Sequence, residues 1–89
     1  MISKIFKIKN KLGIHARPAA EFVKTASRFS SDINVAKNDN RVNGKSIMGI
    51  LMLEAAHGTE IEVEIDGQDE EEAMEAMTDL IETRQFDEE

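Results

Sequence analysis

A histidine and an arginine stand where the chain passes from a strand-like segment into a helix-like one. Gly13 breaks the first segment, and Pro18 suits the first turn of a helix, where a residue without an N–H loses no hydrogen bond. His15 and Arg17 lie between these two markers. A neutral imidazole can act as a nucleophile, and a guanidinium beside it can bind an anion. These residue types at this spacing therefore predict a site that takes up a phosphoryl group.

Each group of this segment has an expected role. The positive end of a helix and the Arg17 guanidinium both disfavour a charged ring, so we expect His15 to be neutral and nucleophilic. The backbone N–H groups of Ala16 and Arg17 lie in the first turn and can face the phosphate. A lone histidine before a helix more often only caps it. It is the whole run from Gly13 to Pro18 that favours chemistry.

Ser46 is a second candidate site. It precedes a predicted short helix over residues 47–56, where a serine N-cap contributes about 1 kcal/mol. His57 and Gly58 are expected to end that helix, as a cation near its C-terminus followed by the usual stop residue. A phosphate on Ser46 would add about −1.5 to −2 charges at the helix start. Ser46 is therefore a candidate regulatory position.

The predicted helix after Ser46 carries more apolar residues than one buried face can hold. Core packing explains Ile50 and Leu53. We expect Ile47, Met48 and Leu51 to form a partner-docking surface, and methionine suits a surface that meets several proteins.

Alternating apolar and polar residues predict four strands, and apolar residues at helical spacing predict three helices. The predicted order is strand 2–9, helix 16–28, strand 33–36, strand 41–43, helix 47–56, strand 60–65 and a last helix with a buried stripe of Ala73, Met77, Leu80 and Ile81. Each strand has one polar side, which predicts a single sheet with the three helices on its apolar face. The acidic residues 85–89 are expected to form a flexible tail.

Bulk properties narrow the function classes. The 89 residues, 40% hydrophobic and 33% charged, predict one globular domain over 1–89. The formal net charge of −7 argues against binding to nucleic acid. Cysteine is absent, which excludes thiolate chemistry, and no apolar run approaches the roughly 20 residues of a membrane span. We expect a cytoplasmic monomer without cofactor, metal site or membrane insertion.

The run Gly-Ile-His-Ala-Arg-Pro-Ala over residues 13–19 resembles the active-site signature of the HPr family, the histidine-containing phosphocarriers of the bacterial phosphotransferase system. The run Lys-Ser-Ile-Met-Gly over residues 45–49 resembles the serine site that an ATP-dependent HPr kinase/phosphorylase modifies. The resemblance implies an α+β open-faced β-sandwich, β-α-β-β-α-β-α, with four antiparallel strands. It also implies that His15 accepts a phosphoryl group from enzyme I, itself charged by phosphoenolpyruvate, and donates it to an enzyme IIA domain.

The same resemblance implies that Arg17 assists transfer, that Ser46 is phosphorylated for regulation, and that Nδ1 is the reacting nitrogen. It implies a carrier and not an autonomous enzyme. An RNA-recognition module shares a similar element order, but the aromatic and basic sheet face that such a module needs is missing. A phosphorelay regulator not coupled to sugar import, including a nitrogen-branch phosphocarrier, stays open as an alternative.

Overall fold

The computed structural model describes residues 1–88 and has the predicted alternation of strands and helices. The elements are β1 (Ile2–Lys7), α1 (Ala16–Ala26), β2 (Asp32–Lys37), β3 (Asn40–Asn43), α2 (Ile47–Met52), β4 (Glu60–Asp66) and α3 (Glu70–Thr78). After α3 the chain makes a π-helical turn (Asp79–Thr83) and a 3₁₀ turn (Gln85–Asp87).

The strands form one sheet in the order β1-β4-β2-β3, and each neighbouring pair is antiparallel. The register places Phe6 opposite Ile61 and Val35 opposite Val63. Side chains alternate between the two faces of a strand, so this register gathers the apolar residues on one side of the sheet. The predicted four-stranded antiparallel sheet with three helices is confirmed.

The core lies between the apolar face of the sheet and the helices. Residues at helical spacing in α1 and α3 supply its helical side, and every second residue of β4 supplies its sheet side. The buried residues of these elements are Ala19, Phe22, Ala26, Ala73, Met77, Ile61, Val63 and Ile65. Leu80 and Ile81, in the turn after α3, are buried as predicted.

The predicted C-terminal ends of β1 and α1 each lie two residues too far along the chain. β1 ends at Lys7, although Ile8 is buried and its N–H donates to Thr59 O at 2.8 Å. α1 ends at Ala26, where the Arg28 N–H donates to Thr25 O in a tighter turn than an α-helix makes.

The predicted end of α2 is wrong. The helix ends at Met52 and not at residue 56, and Glu54 follows with a positive φ of 49°. That left-handed residue turns the chain so that Ala55 is buried against the loop before α1. His57 and Gly58 consequently lie beyond the helix, in the turn that leads to β4, and His57 does not cap α2.

The structure packs residues 85–88 against the domain, where the sequence predicted a flexible tail, and Glu89 lies outside the described residues. Phe86 is 0% exposed, because an aromatic side chain gains more from burial than the acidic residues around it gain from solvation. Gln85, Phe86 and Asp87 have φ values of 49°, 57° and 58°, which fold the chain end back on the domain. Arg84 bonds the Asp87 carboxylate at 2.7 Å and lowers the pKa of Asp87 below its usual value.

Asp69 connects the start of α3 to the loop between α1 and β2. Its carboxylate accepts hydrogen bonds from the Ser31 hydroxyl and from the backbone N–H groups of Ser30 (2.9 Å) and Ser31 (3.0 Å). The Ser31 hydroxyl, followed by the Ser30 N–H, lowers the pKa of Asp69 to about 2. Within residues 1–88, no helix combines the length and the apolar composition needed to cross a bilayer.

Candidate functional site

The loop before α1 is fixed in place by a close backbone contact. Gly13 has a φ of +66°, and a Cβ added there would lie 2.5 Å from Ala55 O and 2.8 Å from Ala56 Cα. The Ile14 N–H donates to the same Ala55 O at 2.8 Å. Only glycine fits this position without strain. The segment after α2 thus fixes the position of Ile14 and of His15, which follows it.

His15 occupies the N-cap position of α1 with an extended backbone, and its carbonyl accepts the Ala19 N–H at 3.0 Å. Its side chain makes no capping hydrogen bond within the described chain, and it is 39% exposed. Because the helix begins at Ala16, the N–H groups of Ala16 and Arg17 have no acceptor inside the helix. The imidazole is therefore accessible at a helix end that attracts anions.

A carboxylate from the far end of the chain completes the cluster. Glu88 Oε2 lies 2.9 Å from His15 Nε2 and 3.6 Å from Arg17 Nη1. Glu88 Oε1 accepts a hydrogen bond from Asn10 Nδ2 at 3.1 Å, and Asn10 is buried. The imidazole and the guanidinium thus both contact the same carboxylate oxygen. A phosphoryl oxygen is also anionic, so these two side chains can bind it in the same way.

Of the residues in this cluster, the sequence predicted roles for His15, Ala16 and Arg17 but for neither Asn10 nor Glu88. Glu88 is separated from His15 by 73 positions, so no local spacing links them. Phe86, an aromatic residue in an otherwise acidic end, was the signal that could have indicated a packed terminus.

Ser46 is the N-cap of α2, as predicted. Its Oγ accepts the Gly49 N–H at 3.1 Å, and its backbone is extended. The side chain of the neighbouring Lys45 is held by a hydrogen bond that its Nζ donates to Phe29 O at 2.7 Å. The serine oxygen thus lies at the start of α2 on a well-defined backbone.

The apolar residues of α2 divide between the core and the surface. Ile50 and the following Leu53 are buried, as predicted. Ile47 is exposed and Met48 is 68% exposed, but Leu51 is half-buried and packs against the core. Met52, which the sequence did not single out, is 71% exposed. We call Ile47, Met48 and Met52 the apolar patch.

Comparisons with known proteins identify the family of this chain. A family model described as the PTS HPr component phosphorylation site matches residues 2–83. The chain is 60% identical over 81 residues to the phosphocarrier protein HPr of Neisseria meningitidis serogroup A, with 91% of each chain covered. The crystal structure of HPr-C-His from Thermoanaerobacter tengcongensis matches with a TM-score of 0.94 and 52% identity, covering 100% of this chain and 99% of that one. The chain belongs to the HPr family of phosphocarriers of the phosphotransferase system.

Two further relatives are an HPr-like protein and a dimeric HPr. The HPr-like protein Crh of Halalkalibacterium halodurans is 46% identical over 82 residues, with 92% of this chain and 98% of that one covered. An HPr dimer from Thermoanaerobacter tengcongensis matches with a TM-score of 0.75 and 52% identity, covering 96% of this chain and 98% of that one. A monomeric state for this chain stays a prediction.

Proposed function

We propose that this protein accepts a phosphoryl group on His15 from phospho-enzyme I and passes it to enzyme IIA components of the sugar phosphotransferase system. The observation that carries the proposal is the accessible imidazole at the N-cap of α1, with the Arg17 guanidinium on the same side of the cluster. Membership of a phosphocarrier family supports it.

The site suits a group that must be received and given away. The N–H groups of Ala16 and Arg17 and the Arg17 side chain can stabilise phosphoryl oxygens. Arg17 is 57% exposed, so its ion pair with phosphate is weakened by water. Such contacts stabilise the phosphoryl group enough for it to persist, and they bind it weakly enough for it to be transferred.

The protein would act as a phosphorylated intermediate and not as an autonomous enzyme. The motif offers one nucleophile and one cation, and catalysis would come largely from the partners. Within residues 1–88, no group of three or more histidine, aspartate or glutamate side chains is placed to hold a metal ion. We propose that the protein is a cytoplasmic monomer that binds no nucleic acid and does not insert into the membrane. Its partners would be enzyme I and enzyme IIA domains.

The proposal is tested with the two histidines of the chain. Wild type, His15→Ala and His57→Ala are incubated with enzyme I and phosphoenolpyruvate, and acid-labile phosphate is measured. His57 is exposed in the turn before β4, so its variant is a matched control. We expect incorporation in wild type and in His57→Ala and none in His15→Ala. Phosphate that persists in His15→Ala would refute the assignment.

We further propose that an HPr kinase/phosphorylase phosphorylates Ser46. The Ser46 oxygen accepts a hydrogen bond from Gly49 N–H, and a phosphoserine oxygen can keep that bond while its charge interacts favourably with the helix start. The added charge would lie beside Ile47 and Met48, the exposed apolar residues that follow it. Phosphorylation would therefore weaken docking without unfolding α2.

The regulatory proposal is tested with Ser46→Asp and, as a control, Ser3→Asp on an exposed position of β1. We expect Ser46→Asp to slow phosphoryl transfer from enzyme I and Ser3→Asp to leave it unchanged, with both proteins folded. Incubation with ATP and the kinase should label wild type and not Ser46→Ala. Equal transfer rates for the two aspartate variants would contradict the proposal.

We also propose that Ile47, Met48 and Leu51 dock partner proteins, with Met48 as the most accessible of the three. Met48→Ser should raise the KM of enzyme I for this protein. Ile5→Ser removes an equally apolar exposed side chain from β1 and should leave KM unchanged. An equal change in KM for both variants would show that general surface polarity, and not docking, is being measured.

The alternative function is that of a phosphorelay regulator not coupled to sugar import, including a nitrogen-branch phosphocarrier. The similarity to Crh, described as the catabolite repression HPr of Bacillus subtilis, supports this alternative, whereas the retained His15 supports a carrier. Transfer from the phosphorylated protein to an enzyme IIA domain of a sugar permease separates the two. A gene neighbourhood with such a permease would favour transport.

A further inference from the structure

The Glu88 side chain is held at the histidine by groups on both of its oxygens. Oε2 lies 2.9 Å from His15 Nε2 and 3.6 Å from Arg17 Nη1, while Oε1 accepts a hydrogen bond from Asn10 Nδ2 at 3.1 Å. The Glu88 side chain is only 13% exposed, whereas the Asp87 side chain is 48% exposed. Its partners and its burial hold the Glu88 carboxylate in a defined position beside His15.

Independent contacts fix Glu88 from either side. The buried Asn10 amide also donates to Gly13 O, so it joins the carboxylate to the loop that presents the histidine. Phe86 anchors the chain end in the core, and the Glu88 N–H donates to Gln85 O at 3.1 Å. Asn10 thus holds the Glu88 carboxylate at the loop, and the buried Phe86 holds the Glu88 backbone against the domain.

We propose that Glu88 is a positioning residue for His15, holding the Nε2–H of the ring so that the Nδ1 lone pair is presented to the incoming phosphorus. The inference rests on the proposed phosphocarrier function. A carboxylate can only accept hydrogen bonds, so the nitrogen that faces it must carry the proton. In a neutral imidazole the other nitrogen is then the nucleophile. Carboxylates orient histidine rings in the same way at metal sites and in catalytic triads.

The carboxylate also stabilises the charge that forms during transfer. The Nδ1 lone pair makes the new N–P bond while the bond from phosphorus to the donor breaks, and its electron pair stays with the donor. The Nε2 proton remains on the ring, which becomes positively charged. Glu88 lies beside that proton. The positively charged ring is therefore more stable than it would be without the carboxylate.

The test uses Glu88→Ala, Glu88→Gln and the control Glu60→Gln, which changes an exposed glutamate of β4. Rates of phosphorylation by enzyme I and phosphoenolpyruvate are measured together with the Nε2–H proton signal of His15 in NMR spectra. Loss of a partner that orients a histidine typically costs about 10- to 100-fold. We expect that loss of rate in Glu88→Ala, a smaller loss in Glu88→Gln, and none in Glu60→Gln. The protected Nε2–H signal should disappear in Glu88→Ala and persist in Glu88→Gln.

Two outcomes would overturn the inference. Glu88→Ala phosphorylated as fast as wild type would show that the ring needs no such partner. A faster Glu88→Ala would show that the carboxylate competes with phosphate for Arg17. In both cases wild type is still phosphorylated on His15 and the proposed function stands, whereas failure of wild type to accept phosphate from enzyme I would remove both.

Discussion

Two glycines with positive φ allow the effect of one close backbone contact to be measured. Gly13 (φ +66°) would place a Cβ 2.5 Å from Ala55 O, whereas Gly58 (φ +87°) has nothing within 4 Å of an added Cβ. An alanine at Gly58 therefore tests left-handed backbone strain alone. An alanine at Gly13 tests the same strain together with a clash against backbone atoms that have no flexible end to move.

The expected magnitudes follow from these two geometries. The left-handed conformation costs an alanine about 1–2 kcal/mol at either position. At Gly13 the Cβ must also push the loop away from Ala55, which weakens the Ile14–Ala55 hydrogen bond and adds about 1 kcal/mol, besides the cost of the displaced packing. We expect losses of roughly 3–4 kcal/mol for Gly13→Ala and about 1–2 kcal/mol for Gly58→Ala, against a total stability of about 5–15 kcal/mol.

Equilibrium urea denaturation measures both losses, and equal m-values would show that the unfolded states are comparable. Because the displaced loop carries His15, Gly13→Ala should also slow phosphorylation by enzyme I; a shift of about 1 Å at a reacting group can cost roughly 100-fold. Gly58→Ala should leave the rate unchanged. Equal losses of stability for the two variants would refute the claim that the contact with Ala55 fixes the site.

Three further substitutions test separate elements of the structure. Ser46→Ala removes the acceptor for Gly49 N–H and should lower the free energy of unfolding by about 1 kcal/mol, measured by urea denaturation. Phe86→Ala should cost about 3–5 kcal/mol in the same assay, because Phe86 is fully buried. Asp69 has a pKa lowered to about 2 by its hydrogen bond from Ser31, so it stabilises the fold above its unfolded pKa of about 4. That contribution is lost as the pH falls from about 4 to about 2, and the gap in stability between wild type and Asp69→Asn should shrink over the same range.

The outcomes that would contradict these predictions are distinct. Full stability of Phe86→Ala would return the chain end to the flexible tail expected from its acidic composition. Unchanged stability of Ser46→Ala would show that water replaces the cap. A constant gap between wild type and Asp69→Asn from pH 5 to about pH 2 would mean that the carboxylate titrates alike in the folded and unfolded chains.

The parts of the fold that sequence predicts well depend on local signals. Alternating residues in β4 and the stripe of α3 place Val63, Ala73 and Met77 in the core, and the structure buries all three. His15 falls at the start of α1 because Gly13 and Pro18 bracket it. Such signals act within one or two turns of the chain and need no knowledge of tertiary contacts.

The parts that sequence does not predict depend on contacts between distant segments. Apolar residues after Met52 extend the helical pattern, but Ala55 instead packs against the loop at Gly13 and ends the helix early. Glu88 reaches His15 only because Phe86 is drawn into the core. An acidic composition predicts solvation of the chain end and cannot indicate that one aromatic residue overrides it.

Following one labelled phosphoryl group through the protein shows whether His15 carries it. Wild type is phosphorylated by enzyme I with labelled phosphoenolpyruvate, separated from the donor, and then mixed with an enzyme IIA domain. We predict that the label is acid-labile, lies on His15, and moves to the IIA domain while the protein returns to its unphosphorylated form. Label that stays on the protein, or that is found on His57 or Ser46 before transfer, would contradict the account of His15 as the carrier.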